Sequence, residues 1–337
     1  MKSLAKIAVC TALPAIIANA ALAAEAPNLA QRAVAEYLEL AKFPEWSLPI
    51  PAGAINPILS ERSPAVITQA GPNGAGPALS VWLDEVRYEL GDSVSIYAQL
   101  HDRPLSDADL LTTPQADARG PWSISGELVS QAGDALAALS FTDDGKGADE
   151  RAGDGVFTAS YTLNETAQPA VGQANNLAYR VTASNDAQET RIAFGGFQYS
   201  HPAAHLTGKY SDRLENGNLI ISAQVDVKQA GRVHLAGVIN NALGTPIALS
   251  QHAAELEEGL QWIDLPVYGL LLRNTASPFT VGSLTLTTTR GMPNALGEVA
   301  ENVHKTAAYL PTAFTDKPFD RVNLLDAAAR LQAIANP

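Results

Sequence analysis

Apolar and polar residues alternate with a period of two through most of the chain beyond residue 79. LSVWLDEVRYEL (79–90) and SVSIYAQLHD (93–102) open the pattern, with Gly91-Asp92 between them. A two-residue period marks a strand that turns one face to a core. WSISGEL, ALAALSF, GVFTASYTL, LAYRVTAS and TRIAFGGFQY follow at short, regular intervals. About seven strands in about 120 residues is the density of an immunoglobulin-like β-sandwich. A second set begins near residue 206 with NLIISAQVDVKQAG, RVHLAGVINNALGTPIALSQHAAEL, GLQWIDLPVYG and FTVGSLTLTTTR. In it Leu219, Ile221, Ala223, Val225 and Val227 share one face, with Asp226 and Lys228 on the other.

The flanks read differently. NLAQRAVAEYLELAK (28–42) has Asn28 as a cap, a partial apolar face of Leu29, Val34 and Leu38, and Pro44 as its stop. Residues 43–77 are rich in Pro, Gly and Asn, and form either a lead-in that hugs the next domain or a linker. Trp46 is the expected anchor of that segment. RVNLLDAAARLQAI (321–334) predicts a short helix that packs through Val322, Leu325 and Leu331.

The fold class expected is therefore all-β. Two tandem immunoglobulin-like sandwiches, at 78–200 and 201–318, follow a helical and irregular lead-in at 24–77. A helical tail at 319–337 follows them. Residues 1–23 read as a cleavable export signal. Lys2 and Lys6 precede an apolar run from Ile7 to Ile17, and the small residues Ala21 and Ala23 flank Leu22. Neither that run nor any later one reaches the roughly 20 apolar residues of a membrane span, so a secreted or periplasmic protein without a transmembrane segment is expected.

Cys10, the one cysteine, lies inside the signal, where an acylation site is the alternative reading. The chain after the signal then has no disulfide and no thiolate chemistry. Without Lys2 and Lys6, 20 basic face 35 acidic residues, a net charge of −15. Such a chain repels phosphate backbones, which argues against nucleic acid as a partner.

One segment concentrates chemistry: FTDDGKGADERAGDGVFT, residues 141–158. Asp143, Asp144, Asp149 and Asp154 fall within twelve residues, separated by four glycines. Glycine permits tight turns, and crowded carboxylates invite a hard cation such as Ca2+, which takes six to eight oxygens. The other reading is structural. Asp-Gly is a strong hairpin-turn pair, and Asp side chains cap local amides. The spacing does not match an EF-hand.

FTDDGKGADERAGDGVFTASY resembles the DDG-x-x-GD-x-x-AGDG-[VI]-[YF]-T signature of bacterial exported β-sandwich domains. These occur in proteins of the choice-of-anchor X type and in the domain-of-unknown-function 4785 family. Ala148 stands where glycine is common. ALSVWLDEVRYELGDSVSIYAQLHD resembles the opening strands of that module, FPEWSLPI its lead-in, and residues from HLTGKYSD to KTAAYLPTAF its companion C-terminal sandwich. The likeness covers most of 43–315. It implies an exported multi-sandwich protein with no assigned enzymatic activity.

Other candidates are weaker. His201 and His205 are four apart, but Pro202 places them on a linker rather than on one helix face, and no H-E-x-x-H motif occurs. No G-x-S-x-G elbow marks a serine nucleophile. Trp82 and Trp262 sit in strand patterns and are expected in the core. Trp122, beside Gly120-Pro121, is the candidate for an exposed sugar-stacking residue. The functional expectation is a non-enzymatic exported protein that binds a protein or cell-surface partner, with Ca2+ as the candidate cofactor. A carbohydrate-binding accessory module that recognises a surface glycan is the alternative. A hydrolase is the least favoured reading.

Overall fold

The structure, a computed structural model, describes residues 29–60, 64–74, 76–101, 122–164, 168–288 and 295–335. The export signal, the Asn28 cap and most of the segment before Trp122 lie outside these residues. In chain order the elements begin with α1 (Leu29–Leu40), β1 (Ser47–Pro49) and α2 (Pro57–Ser60). The next strands are β2 (Ile67–Gln69), β3 (Ala78–Leu83), β4 (Arg87–Glu89), β5 (Ser93–His101), β6 (Trp122–Val129), β7 (Ala135–Ser140), β8 (Val156–Thr162), β9 (Gln173–Asn185) and β10 (Thr190–His201). Then come β11 (Ala204–Glu215), β12 (Asn218–Val227), β13 (Gly231–Asn240), β14 (Pro246–Leu256), β15 (Gly259–Val267), α3 (Gly269–Leu272), β16 (Thr280–Thr288), β17 (Ala295–Lys305) and α4 (Val322–Ala335). The chain is all-β with short helices near its two ends. No described helix is long and apolar enough to cross a membrane.

Two pairs of sheets enclose two separate cores. In the first, β2-β3-β5-β8 faces β4-β10-β9-β6-β7. All pairings there are antiparallel except β10 with β4. Leu79, Val81 and Leu83 of β3 and Val94, Ile96, Ala98 and Leu100 of β5 point inward at every second position. They meet Leu177, Tyr179, Val181 and Ala183 of β9 and Phe197 and Tyr199 of β10. In the second, β1-β14-β13-β16-β17 faces β11-β12-β15. The predicted inward face of Leu219, Ile221, Ala223, Val225 and Val227 is buried throughout, and Lys228 pairs with Asp226 on the other face at 2.6 Å. The chain passes from one sandwich to the other at Pro202, between β10 and β11.

The lead-in does not serve the sandwich that follows it in sequence. Its strand β1 pairs antiparallel with β14, Ser47 opposite Ser250, and so joins the second sandwich. Ile58 of α2 is buried against Ala236 and Val238 of β13, with Ile50 and Leu249 alongside. Only at β2 does the chain enter the first sandwich, where Ile67 stands opposite Val81. Trp46 is half-buried, its ring edge-on to Tyr268 at 5.9 Å, as an anchor should be.

Trp82 and Trp262 differ from expectation. Both lie on outward faces. Trp82 is half-buried and stacks on Tyr97 at 5.5 Å. Trp262 is 49 % exposed. In GLQWIDLPVYG both parities carry apolar residues, and Ile263, Leu265 and Val267 take the core, which turns Trp262 out.

The helices α1 and α4 pack against each other as a separate unit.

Candidate functional site

The acidic segment connects β7 to β8. Its base is a bridge between Thr142 and Thr158, whose backbones exchange hydrogen bonds of 3.0 and 2.8 Å. Above this bridge the chain must reverse within a few residues. Gly145 and Gly153 make that possible at φ of 69° and 74°, a region that side chains disfavour. At Gly145 an added Cβ would also stand 2.8 Å from the Ala152 amide nitrogen.

Backbone amides hold the carboxylates in place. Asp143 accepts from Gly153, at 2.5 Å, and from Asp154 through Oδ1, and from Gly155 through Oδ2 at 3.0 Å. Asp149, 5 % exposed, accepts from Gly145 at 2.7 Å and from Arg151 at 3.1 Å. Asp154 accepts from Val156 at 2.9 Å. These are the local amide caps of the structural reading. They also converge the side chains: one oxygen each from Asp143, Asp149 and Asp154 lies within 4.8 Å of the others. Ligands on opposite sides of a calcium ion at about 2.4 Å stand about 4.8 Å apart, so the three can share one ion. An all-oxygen donor set suits a hard cation rather than zinc. Asp144 stands outside the cluster, with its carboxylate turned to Lys146 at 3.5 Å.

Tyr97 lies on the outward face of β5, stacked on Trp82. Burial first, and then the charges of Asp84 and of Glu150 in the loop, hold the Tyr97 hydroxyl above its usual range. Gln99, two residues along that face, is fully buried. Its place in the period-two pattern marks it only as a polar-face residue, so the sequence held no sign of its burial.

Trp122 opens β6. It is half-buried, packs on the first core, and has the Arg191 guanidinium 5.4 Å over its ring. His201 and His205 do not converge. His201 Nδ1 lies 3.0 Å from the Gln168 amide, while His205 faces Glu89 at 3.8 Å. A polar cluster absent from the sequence expectations centres on Asp212. It accepts from Tyr309 at 2.5 Å and from the Ala307 amide at 3.2 Å, and it lies 2.7 Å from His304 Nε2.

Together these features define a protein of two β-sandwiches with an acidic Asp-Gly loop at the mouth of the first. Residues 203–303 match the family described as domain of unknown function (DUF4785) C-terminal domain, so the second sandwich is of the DUF4785 type. No curated protein matches the sequence. Among solved structures, a DUF4785 family protein of Legionella pneumophila is 22 % identical with a TM-score of 0.45, over 68 % of this chain and 55 % of that one. This chain thus spans about half of the Legionella protein's length. Escherichia coli alpha-2-macroglobulin is 13 % identical at a TM-score of 0.33, over 72 % of this chain and 14 % of that one. The Yersinia pseudotuberculosis adhesin InvE is 11 % identical at 0.23, over 68 % and 62 %.

Proposed function

We propose that this is an exported, non-enzymatic protein that binds a protein or cell-surface partner and carries one calcium ion in its acidic loop. The observation that carries the calcium reading is the convergence of Asp143, Asp149 and Asp154. Three carboxylates so close repel one another, and a divalent ion offsets that repulsion while tying the loop to the root of β8. Export is supported by the signal-like pattern of residues 1–23.

Partner binding is supported by Ile192 and Phe194, which stand 41 % and 56 % exposed on the outward face of β10. Apolar side chains grouped in this way on a solvent-facing sheet are what a protein partner covers. Calorimetric titration of the mature chain with calcium should give one site, abolished by Asp149→Ala. A flat titration with no change in melting temperature ends the calcium reading. Capture of an envelope partner that survives Phe194→Ser ends the assignment of that face.

A second reading, a carbohydrate-binding module, is favoured by one observation. The Trp262 ring is half-exposed on a strand face, opposite the polar Gln224. Glycan binding lost on Trp262→Ala would support it. Turnover on a hydrolase panel would overturn the non-enzymatic reading.

A further inference from the structure

We propose that the outward face of β7, β6, β9 and β10 is a self-association face, and that the partner it takes is a second copy of this chain. This rests on the reading above that Ile192 and Phe194 mark a docking surface, and it names the occupant.

The face carries a shallow groove of about 630 Å³. Strand register sets its layout in rows. Ala138 of β7, Glu127 of β6, Arg180 of β9 and Phe194 of β10 lie side by side in one row. Ser140, Ser125, Thr182 and Ile192 form the next. Residues opposite each other across a ladder share a side of the sheet. Leu139, Val181 and Ala193, which alternate with them, face the core, so both rows face out. Each row runs from a small exposed residue at β7, Ala138 or Ser140, to a large exposed one at β10, Phe194 or Ile192. The Glu127–Arg180 ion pair stands in the middle of the first row.

This layout is complementary to itself. A two-fold axis parallel to the strands, between β6 and β9, lays β10 of each copy over β7 of the other and β6 over β9. Phe194 and Ile192 then cover the low ground at the partner's Ala138 and the partner's Ser140. Glu127 faces the partner's Arg180, and Arg180 faces the partner's Glu127. Large meets small and each charge meets its opposite, twice over, as an isologous contact requires. Sheets packed face to face in this way keep their strands roughly aligned. An unrelated partner does not require size and charge to be matched across the middle of one face, whereas a second copy does.

Charge selects the same face. The chain after its signal is strongly acidic, so two copies repel one another wherever that excess is exposed. Among the described residues that line the groove, Glu127 and Arg180 are the only charged ones, and they neutralise each other. A second copy can approach there without that repulsion.

The test is sedimentation velocity on the mature chain over a concentration series up to about 500 µM, a range that reaches the weak dimers of small interfaces. The wild type should pass from monomer to dimer along the series. Phe194→Ser should weaken the association about tenfold or more. Glu127→Arg and Arg180→Glu should each stay monomeric alone, because like charges then meet. Their equimolar mixture should form a dimer, because each supplies the charge the other lacks. A wild type that stays monomeric at the top of the series overturns the inference. So does a dimer that none of the three substitutions weakens, or a mixture of the two charge variants that melt as the wild type does yet fail to associate. If the wild type is monomeric and Phe194→Ser abolishes capture of an envelope partner, this inference fails alone and the face serves a different protein. If capture survives that substitution as well, the docking reading fails with it.

Discussion

The Ser47 and Ser250 hydroxyls lie 2.7 Å apart, both fully buried, across 203 residues of chain. Ser47 also accepts from the Tyr268 amide at 3.0 Å. Ser47→Ala strands that amide in the interior. Leaving a buried donor unmatched costs about 1–3 kcal/mol. The loss should appear in urea unfolding of the second sandwich, whereas an exposed serine such as Ser123 should be neutral.

The Asp212 cluster sets a pH dependence. Burial raises the Asp212 carboxyl, but the hydrogen bonds from Tyr309 and His304 outweigh it, and the net shift is downward. A carboxyl that titrates lower when folded stabilises the fold above its unfolded value of about 3.9, and that contribution is lost as pH falls through the folded value. Asp264, lowered chiefly by Arg213, adds to the same acid limb. Asp212→Asn should therefore lower stability at neutral pH and flatten, but not abolish, the fall in melting temperature below about pH 4. In the same cluster, burial and the bond to Asp212 push Tyr309 up to about 12. Spectrophotometric titration should show several tyrosines that resist ionisation at pH 11, buried Tyr88 and Tyr179 among them, and one fewer in Asp212→Asn.

Trp122 and Trp262 should separate cleanly. Trp122 packs on the first core beneath Arg191, and Trp122→Ala should cost about 2–4 kcal/mol, near the range for large-to-small core changes. Trp262→Ala removes a half-exposed ring and should stay within about 0.5 kcal/mol. Denaturant midpoints of the two variants provide the comparison.

Gly145→Ala should disturb the loop itself. It forces a side chain into φ of 69° and against the Ala152 amide, at a cost of about 1–2 kcal/mol. Calcium should recover part of the lost melting temperature if the ion organises the loop.

What could be read in advance follows the range of the interactions. The β12 face was legible because Leu219 to Val227 carry their orientation in their own parity. The acidic cluster was legible because its donors and the amides that orient them lie within residues 143–156. Asp144 could not be told from its neighbours, since only the turn geometry sends its carboxylate toward Lys146. Strand β1 left no periodic mark in three residues, and its partner lies about 200 residues away. The Asp212 cluster joins β11 to the end of β17 and the segment after it, a meeting that only the assembled sheets create. Trp262 was misplaced because its strand offers apolar residues to both faces.

The route of the chain has a consequence for assembly. The second sandwich claims β1 at the start of the chain but cannot receive it until β14 has been made. During synthesis, this edge segment must wait while the whole first sandwich is built. Closing so long a loop in an unfolded chain is slow, and long-range pairing is entropically penalised. The first sandwich can shorten the search, because its entry strand β2 lies against its exit strand β10. Once folded, it acts as a splint that carries the waiting N-terminal segment back toward its distant partner, so damage to the first core should slow maturation of the second.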